Sequence, residues 1–211
     1  MDLALITYEA TEPITLADAK VFLVVDHSEH DALISSLISA ARESAEVFTN
    51  RSFLKKTYML QLDGWPGTRS WYANTHGMVK LPRGPVRSID SVKYKNDAGV
   101  WTTLDPSYYE LNQFATPAYL LYIRELPAPG NFPNNVKITY QVGYDIDYTL
   151  PAPEDEPTPQ YPFPEAVKNA IKMMVRTMYD HRDDFVIGAS VANLPRTSQM
   201  LLRDYRIFEF V

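Results

Sequence analysis

The period of the apolar residues changes twice along this chain, and that double change limits the folds open to it. Up to about Asn50 the apolar positions recur at helical spacing, from about 55 to 145 they alternate, and after Pro164 the helical spacing returns. Helix-period and strand-period segments cannot exchange roles, so the chain reads as α+β. Its expected architecture is a small helical bundle, two N-terminal and two C-terminal helices, with an antiparallel β-domain inserted between them. Either helical set alone is too small to bury its apolar faces well.

The boundaries follow from local signals. Residues 1–54 are the N-terminal helical part. "TLADAKVFL" has Thr15 three residues before Asp18, a capping-box variant, and Leu16, Ala19, Phe22 and Leu23 on one face. A second helix is predicted from Glu29 or His30 to Phe48. Leu33, Leu37, Ala41, Ala45 and Phe48 form its apolar stripe, and Arg42, Glu43 and Glu46 fall on the other side; Asn50 suits a left-handed cap. Residues 55–145 are the inserted β-domain, with about six short strands. "TYMLQLDGW" alternates, "SIDSVKYKNDAGVWTTL" reads as a hairpin turning at Asn96–Gly99, and "YLLYIREL" and "VKITYQVGY" are further strands. "LPRGPV" is a turn or an edge, because Pro82 and Pro85 cannot donate to a central ladder. Residues 146–164 form a proline-rich tether, with prolines at 151, 153, 157, 159, 162 and 164. Residues 165–211 complete the bundle: a helix over 165–181 burying Val167, Ala170, Ile171, Met174 and Met178, a short helix near Thr197–Asp204, and an apolar tail.

Composition narrows the chemistry. The 211 residues are 45% hydrophobic, enough for a substantial core, and include no cysteine, so thiolate sites and disulfides drop out. No apolar run is long enough to span a membrane, and "MDLALITYEATEP" does not read as a signal peptide. The net charge is −6 and the Lys and Arg residues do not cluster along the sequence, so tight duplex binding is not expected.

Candidate chemical clusters have plainer explanations. Asp26, His27, Glu29, His30 and Asp31 resemble a metal set, but Ser28 with Asp31 forms a capping-box variant and acids in a first turn complement the helix dipole. No metal and no cofactor are expected. His181 beside Asp183 and Asp184 in "YDHRDDF" lies at a helix end, and Glu154 and Glu156 sit on the tether, a poor platform for positioned catalysis. No nucleophile elbow, P-loop, dinucleotide fingerprint or zincin motif occurs, and the chain is not expected to be an enzyme. Trp65, Trp71, Tyr72, Trp101, Tyr108, Tyr109, Tyr119 and Tyr122 could stack on sugars or bases, but such residues more commonly form core or interface.

The order of these segments resembles phage head–tail connector proteins, adaptors that dock beneath the portal of tailed phages and of related gene transfer agents. The resemblance rests on "EPITLADAKVFLVVDHSEHDALISSLISAARESAEVFTNRSF", "VKLPRGPVRSIDSVKYKNDAGVWTTLDPSYYEL", "VKITYQVGY" and "FPEAVKNAIKMMVRTMYDHRDDF". It implies a structural role in the neck of a virion made in the host bacterial cytoplasm. Implied partners are a portal protein, neighbouring copies in a ring, usually of twelve, and the next neck or tail-completion protein; genomic DNA passes through the channel without tight binding, and no membrane is involved. The alternative is a carbohydrate- or receptor-binding β-module on a helical stalk.

The C-terminus "RDYRIFEFV" alternates so that Phe208 and Phe210 oppose Ile207, Glu209 and Val211. Such a tail can add to a partner's sheet edge. With the resemblance supplying the partner, portal contact is expected through Tyr205, Arg206, Ile207, Phe208, Glu209, Phe210 and Val211, with Arg203 and Arg206 as charge partners. The competing arrangement folds the two phenylalanines back on the protein's own helices.

Overall fold

A computed structural model of the chain describes residues 2–65, 77–146, 161–181 and 196–208. They fall into two compact units: a β-unit from Met1–Glu9 and Leu54–Tyr144, and a helical unit from Ala10–Phe53 and Asp145–Phe210.

The β-unit contains β1 (Asp2–Tyr8), β2 (Lys56–Leu62), β3 (Gly77–Lys80), β4 (Val86–Lys95), β5 (Trp101–Thr103), β6 (Tyr109–Asn112), β7 (Tyr119–Tyr122) and β8 (Val136–Val142). A five-stranded antiparallel sheet runs β1-β2-β8-β4-β5, and a three-stranded one runs β3-β7-β6. The alternation in β8 is complete: Val136, Ile138, Tyr140 and Val142 are buried, and the residues between them face outward. Leu60 of β2, Val86 and Val92 of β4, and Leu120 and Tyr122 of β7 complete the core between the sheets. The hairpin turns where the sequence places it. The Asn96 carboxamide accepts from the N–H groups of Ala98 and Val100, and Gly99 supplies the positive φ of 76° that the turn needs.

β1 corrects the reading of residues 1–54 as helical. Its side chains are exposed along the whole strand, so no buried stripe marks it, and a bulge between Leu5 and Thr7 breaks its alternation. Only pairing with β2, distant in sequence, makes it a strand.

The helical unit contains α1 (Leu16–Leu23), α2 (Asp31–Thr49), α3 (Glu165–Asp180) and α4 (Arg196–Arg203). The Thr15 cap forms as expected: its Oγ1 accepts from the Asp18 N–H at 3.1 Å and donates to the Asp18 carboxylate at 2.8 Å. That hydroxyl holds the Asp18 carboxyl below its ordinary pKa. Asn50 caps α2 in the left-handed region, φ 54° and ψ 31°. The Ser28–Asp31 capping box does not form. His30 is the N-cap, without a side-chain bond, and Asp31 pairs with Lys20 at 2.6 Å. Phe22 is 39% exposed rather than packed with Ala19 and Leu23, and in α3 Val175 is buried where Met178 is only half-buried.

The tether begins and ends at one place. Asp145 donates its N–H to the Tyr161 carbonyl, and the Phe163 N–H donates back to the Asp145 carbonyl. Residues 147–160, with Glu154 and Glu156, lie outside the described residues, as do Trp71, Tyr72, Asp183 and Asp184.

Candidate docking surfaces

The sequence points first to the histidine cluster. His30 Nδ1 is hydrogen-bonded to the Tyr179 hydroxyl at 2.6 Å, and His27 stacks edge-on against His30. His30 therefore ties the start of α2 to the end of α3. Among the described residues no three His, Cys, Asp or Glu side chains are grouped to hold a metal ion. Of "YDHRDDF", Tyr179 is taken by His30 and Asp180 by Arg176 at 2.6 Å, while exposed His181 ends the helix.

The strongest ionic cluster was missed from the sequence, where Arg42 and Glu46 look like the outer face of α2. Both are 6% exposed. The Arg42 guanidinium donates to Glu12 at 2.9 and 3.3 Å and to Glu46 at 3.0 Å, and Glu46 accepts the Phe53 N–H at 2.7 Å. Burial pulls the Arg42 pKa down, but the Glu12 hydrogen bond and the charges of Glu46, Glu12 and Glu43 outweigh it and leave it raised. Each buried charge is met by its opposite, as a low-dielectric site demands, so the cluster is a clamp.

The aromatic residues of the β-unit are mostly structural. Tyr122 is fully buried, which pushes its phenol pKa up. Trp65 packs edge-on against Tyr122 and donates its indole N–H to the Pro127 carbonyl at 2.8 Å. The Tyr119 hydroxyl accepts from Asn112. Trp101 differs. It stands on the outer face of the five-stranded sheet, with the Lys137 ammonium 4.4 Å and the Lys95 ammonium 5.2 Å from its ring centre. Lys93 faces Lys137 directly across β4 and β8, so three lysines gather there. The sequence hides this patch because β8 lies more than forty residues beyond β4.

Charge is divided unevenly between the units. The β-unit carries ten Lys and Arg against eight Asp and Glu, net +2, while the helical unit carries ten against eighteen, net −8.

Two further surfaces are open. β1 is an edge strand, and among the described residues no strand pairs with its outer side; Leu5, Ile6 and Tyr8 are each about half exposed or more. The C-terminal tail is only partly free. Ile207 is 2% exposed, its N–H donates to the Thr49 carbonyl at 2.8 Å, and its carbonyl accepts from Asn50 at 3.1 Å. The Tyr205 carbonyl accepts from Arg51. Ile207 thus belongs to its own unit's core and is not available to a partner. Arg203 and Arg206 are exposed, Arg206 lies over the Phe48 and Phe208 rings, and Phe208 is 58% exposed. Glu209, Phe210 and Val211 lie outside the described residues. No described helix is long and apolar enough to cross a membrane.

Residues 13–98 match the model of the phage gp6-like head-tail connector protein family, the family that the sequence resembles. Two solved structures share the fold with a TM-score of 0.73 at 18% identity, covering 100% of this chain and 98% of theirs. They are a chain in the virion of a native gene transfer agent particle and one in the neck of the empty particle, computed with C6 symmetry. A third, from the neck of the native particle computed with C12 symmetry, has a TM-score of 0.66 at the same identity and coverage. No curated protein matches the sequence.

Proposed function

We propose that this chain is a structural head–tail connector in the neck of a tailed phage or phage-like particle. It forms a ring beneath the portal, extends the DNA channel and offers a docking surface to the next neck or tail protein. The observation that carries this reading is the match of the connector family to residues 13–98, joined to a likeness in fold that runs the full length of the chain. The C12 symmetry of one similar neck supports twelve copies. The role is non-enzymatic: the buried ionic cluster is closed by its own partners and the histidine cluster is spent on helix packing.

Portal contact is assigned to exposed Arg203, Arg206 and Phe208, which the segments around Tyr205 and Ile207 anchor to the end of α2 and Arg51, and to Glu209, Phe210 and Val211, which follow them in sequence. The test is to supply the chain to heads assembled without it. The intact protein should restore tailed particles and appear as a ring at the portal vertex in electron micrographs. Removal of residues 209–211 with Phe208→Ser should leave a folded protein that no longer joins heads. Heads that complete normally without the chain would overturn the connector role, and undiminished joining by the tail variant would overturn the portal assignment alone.

A further inference from the structure

The lysine–tryptophan face suits an anionic partner, and the chain itself carries a surface of matching chemistry. Lys93 and Lys137 sit directly opposite each other on β4 and β8, an arrangement in which like charges repel. No carboxylate among the described residues pairs with Lys93, Lys95 or Lys137. Exposed Phe132 lies beneath the Lys95 ammonium, so the cationic patch has an apolar rim.

In the helical unit, the corner between α1 and α2 is the converse. Val21 is 81% and Val24 87% exposed. Val24 is held at φ 60° and ψ 47°, a left-handed conformation that glycine ordinarily supplies and that a β-branched residue enters only under strain. A strained and exposed valine is costly to an isolated chain. Asp26 and Glu29 are exposed just beyond it; among the described residues Asp26 has no ion-pair partner and Glu29 has only His27 at 4.0 Å.

We infer that the Lys93–Lys95–Lys137 face of one copy receives the Val21–Val24 and Asp26–Glu29 corner of a neighbouring copy. This inference rests on the ring-forming reading above and names its contact. Ammonium groups meet carboxylates, and Val21 and Val24 meet the rim at Phe132. The net charges of +2 and −8 on the two units favour the same pairing. Because the two patches are different, the contact is head-to-tail, the type that closes into rings. Duplex DNA is the less suited occupant. Three lysines neutralise about 3 phosphates, well below the roughly 6–10 contacts of strong phosphate binders. Two ammonium groups already lie against the indole, which leaves it poorly placed to stack a base.

The chain has no cysteine, which gives a clean test. Glu29→Cys and a size-tagged Lys93→Cys are mixed in equal amounts at high concentration and oxidised. The mixed disulfide should exceed its random share, fall to it when Lys137→Glu is added to the Lys93→Cys chain, and recover when Asp26→Lys is added to the other. Thermal melts of each variant must match the unmodified protein. A random distribution from protein that still joins heads overturns this contact and leaves the connector reading standing; failure of the unmodified protein to join heads overturns both. Retention of duplex DNA that Lys93→Glu with Lys137→Glu abolishes would assign the face to phosphate and overturn the inference.

Discussion

The two units treat charge in opposite ways. The helical unit buries Arg42 and Glu46 against half-buried Glu12 and satisfies each of them, whereas the β-unit lifts Lys93, Lys95 and Lys137 onto a sheet face with no carboxylate partner among the described residues. A buried charge must bring its partner, so the first arrangement can serve only the fold. Exposed lysines cost little unpaired, so the second stays available to another molecule. Position relative to solvent, rather than charge itself, separates scaffold from surface.

Removing one member of the clamp should have the largest effect. Arg42→Ala leaves Glu12 and Glu46 uncompensated and should destabilise the helical unit by about 3–5 kcal/mol. Amide exchange should rise in α2 while β8 keeps its protection; equal loss in both would show that the units unfold together. In contrast, Lys93→Glu should move neither.

The next test strikes the β-unit. Gly143 has φ +114°, and a Cβ there would lie against the Leu54 carbonyl oxygen. Gly143→Ala should cost about 2–4 kcal/mol through strain and clash, read by denaturant unfolding of the β-unit. A loss below about 1 kcal/mol would mean that the backbone relaxes there.

At the tail, Ile207→Ala should cost about 2–4 kcal/mol because the side chain is buried, while Phe208→Ala should be nearly neutral in stability. Equal costs would move Phe208 into the core and out of reach of a partner. Asn50→Ala should cost about 1 kcal/mol through loss of the left-handed cap, and Asn50→Gly less.

The smallest effect is a pH dependence. Asp18 has a depressed pKa in the folded state, so its contribution is present above the ordinary value of 3.8 and is lost as the pH falls through the depressed one. Thr15→Ala removes the hydroxyl responsible, so the difference in melting temperature between this variant and the parent should shrink as the pH drops below about 4. A difference independent of pH would limit the cap to its backbone bond.

Much of the fold was legible from local patterns. The Thr15 cap, the Asn50 left-handed end, the Asn96–Gly99 turn and the alternation of β8 depend on residues adjacent in sequence, whose geometry is nearly self-contained. The connector resemblance rested on the same local series and matches over residues 13–98. Illegible were the features that pairing creates at long range. β1 becomes a strand only against β2, Arg42 turns inward only because Glu12 waits for it, and Lys137 joins Lys93 only through the register of β4 on β8. The sequence by itself therefore determined the class of most segments and their order, because periodicity, capping and turn chemistry act over a few residues. Tertiary structure alone decided which charges are buried, which strand is left at the edge and where the cationic face lies, because burial and juxtaposition belong to the packed chain and have no local signature.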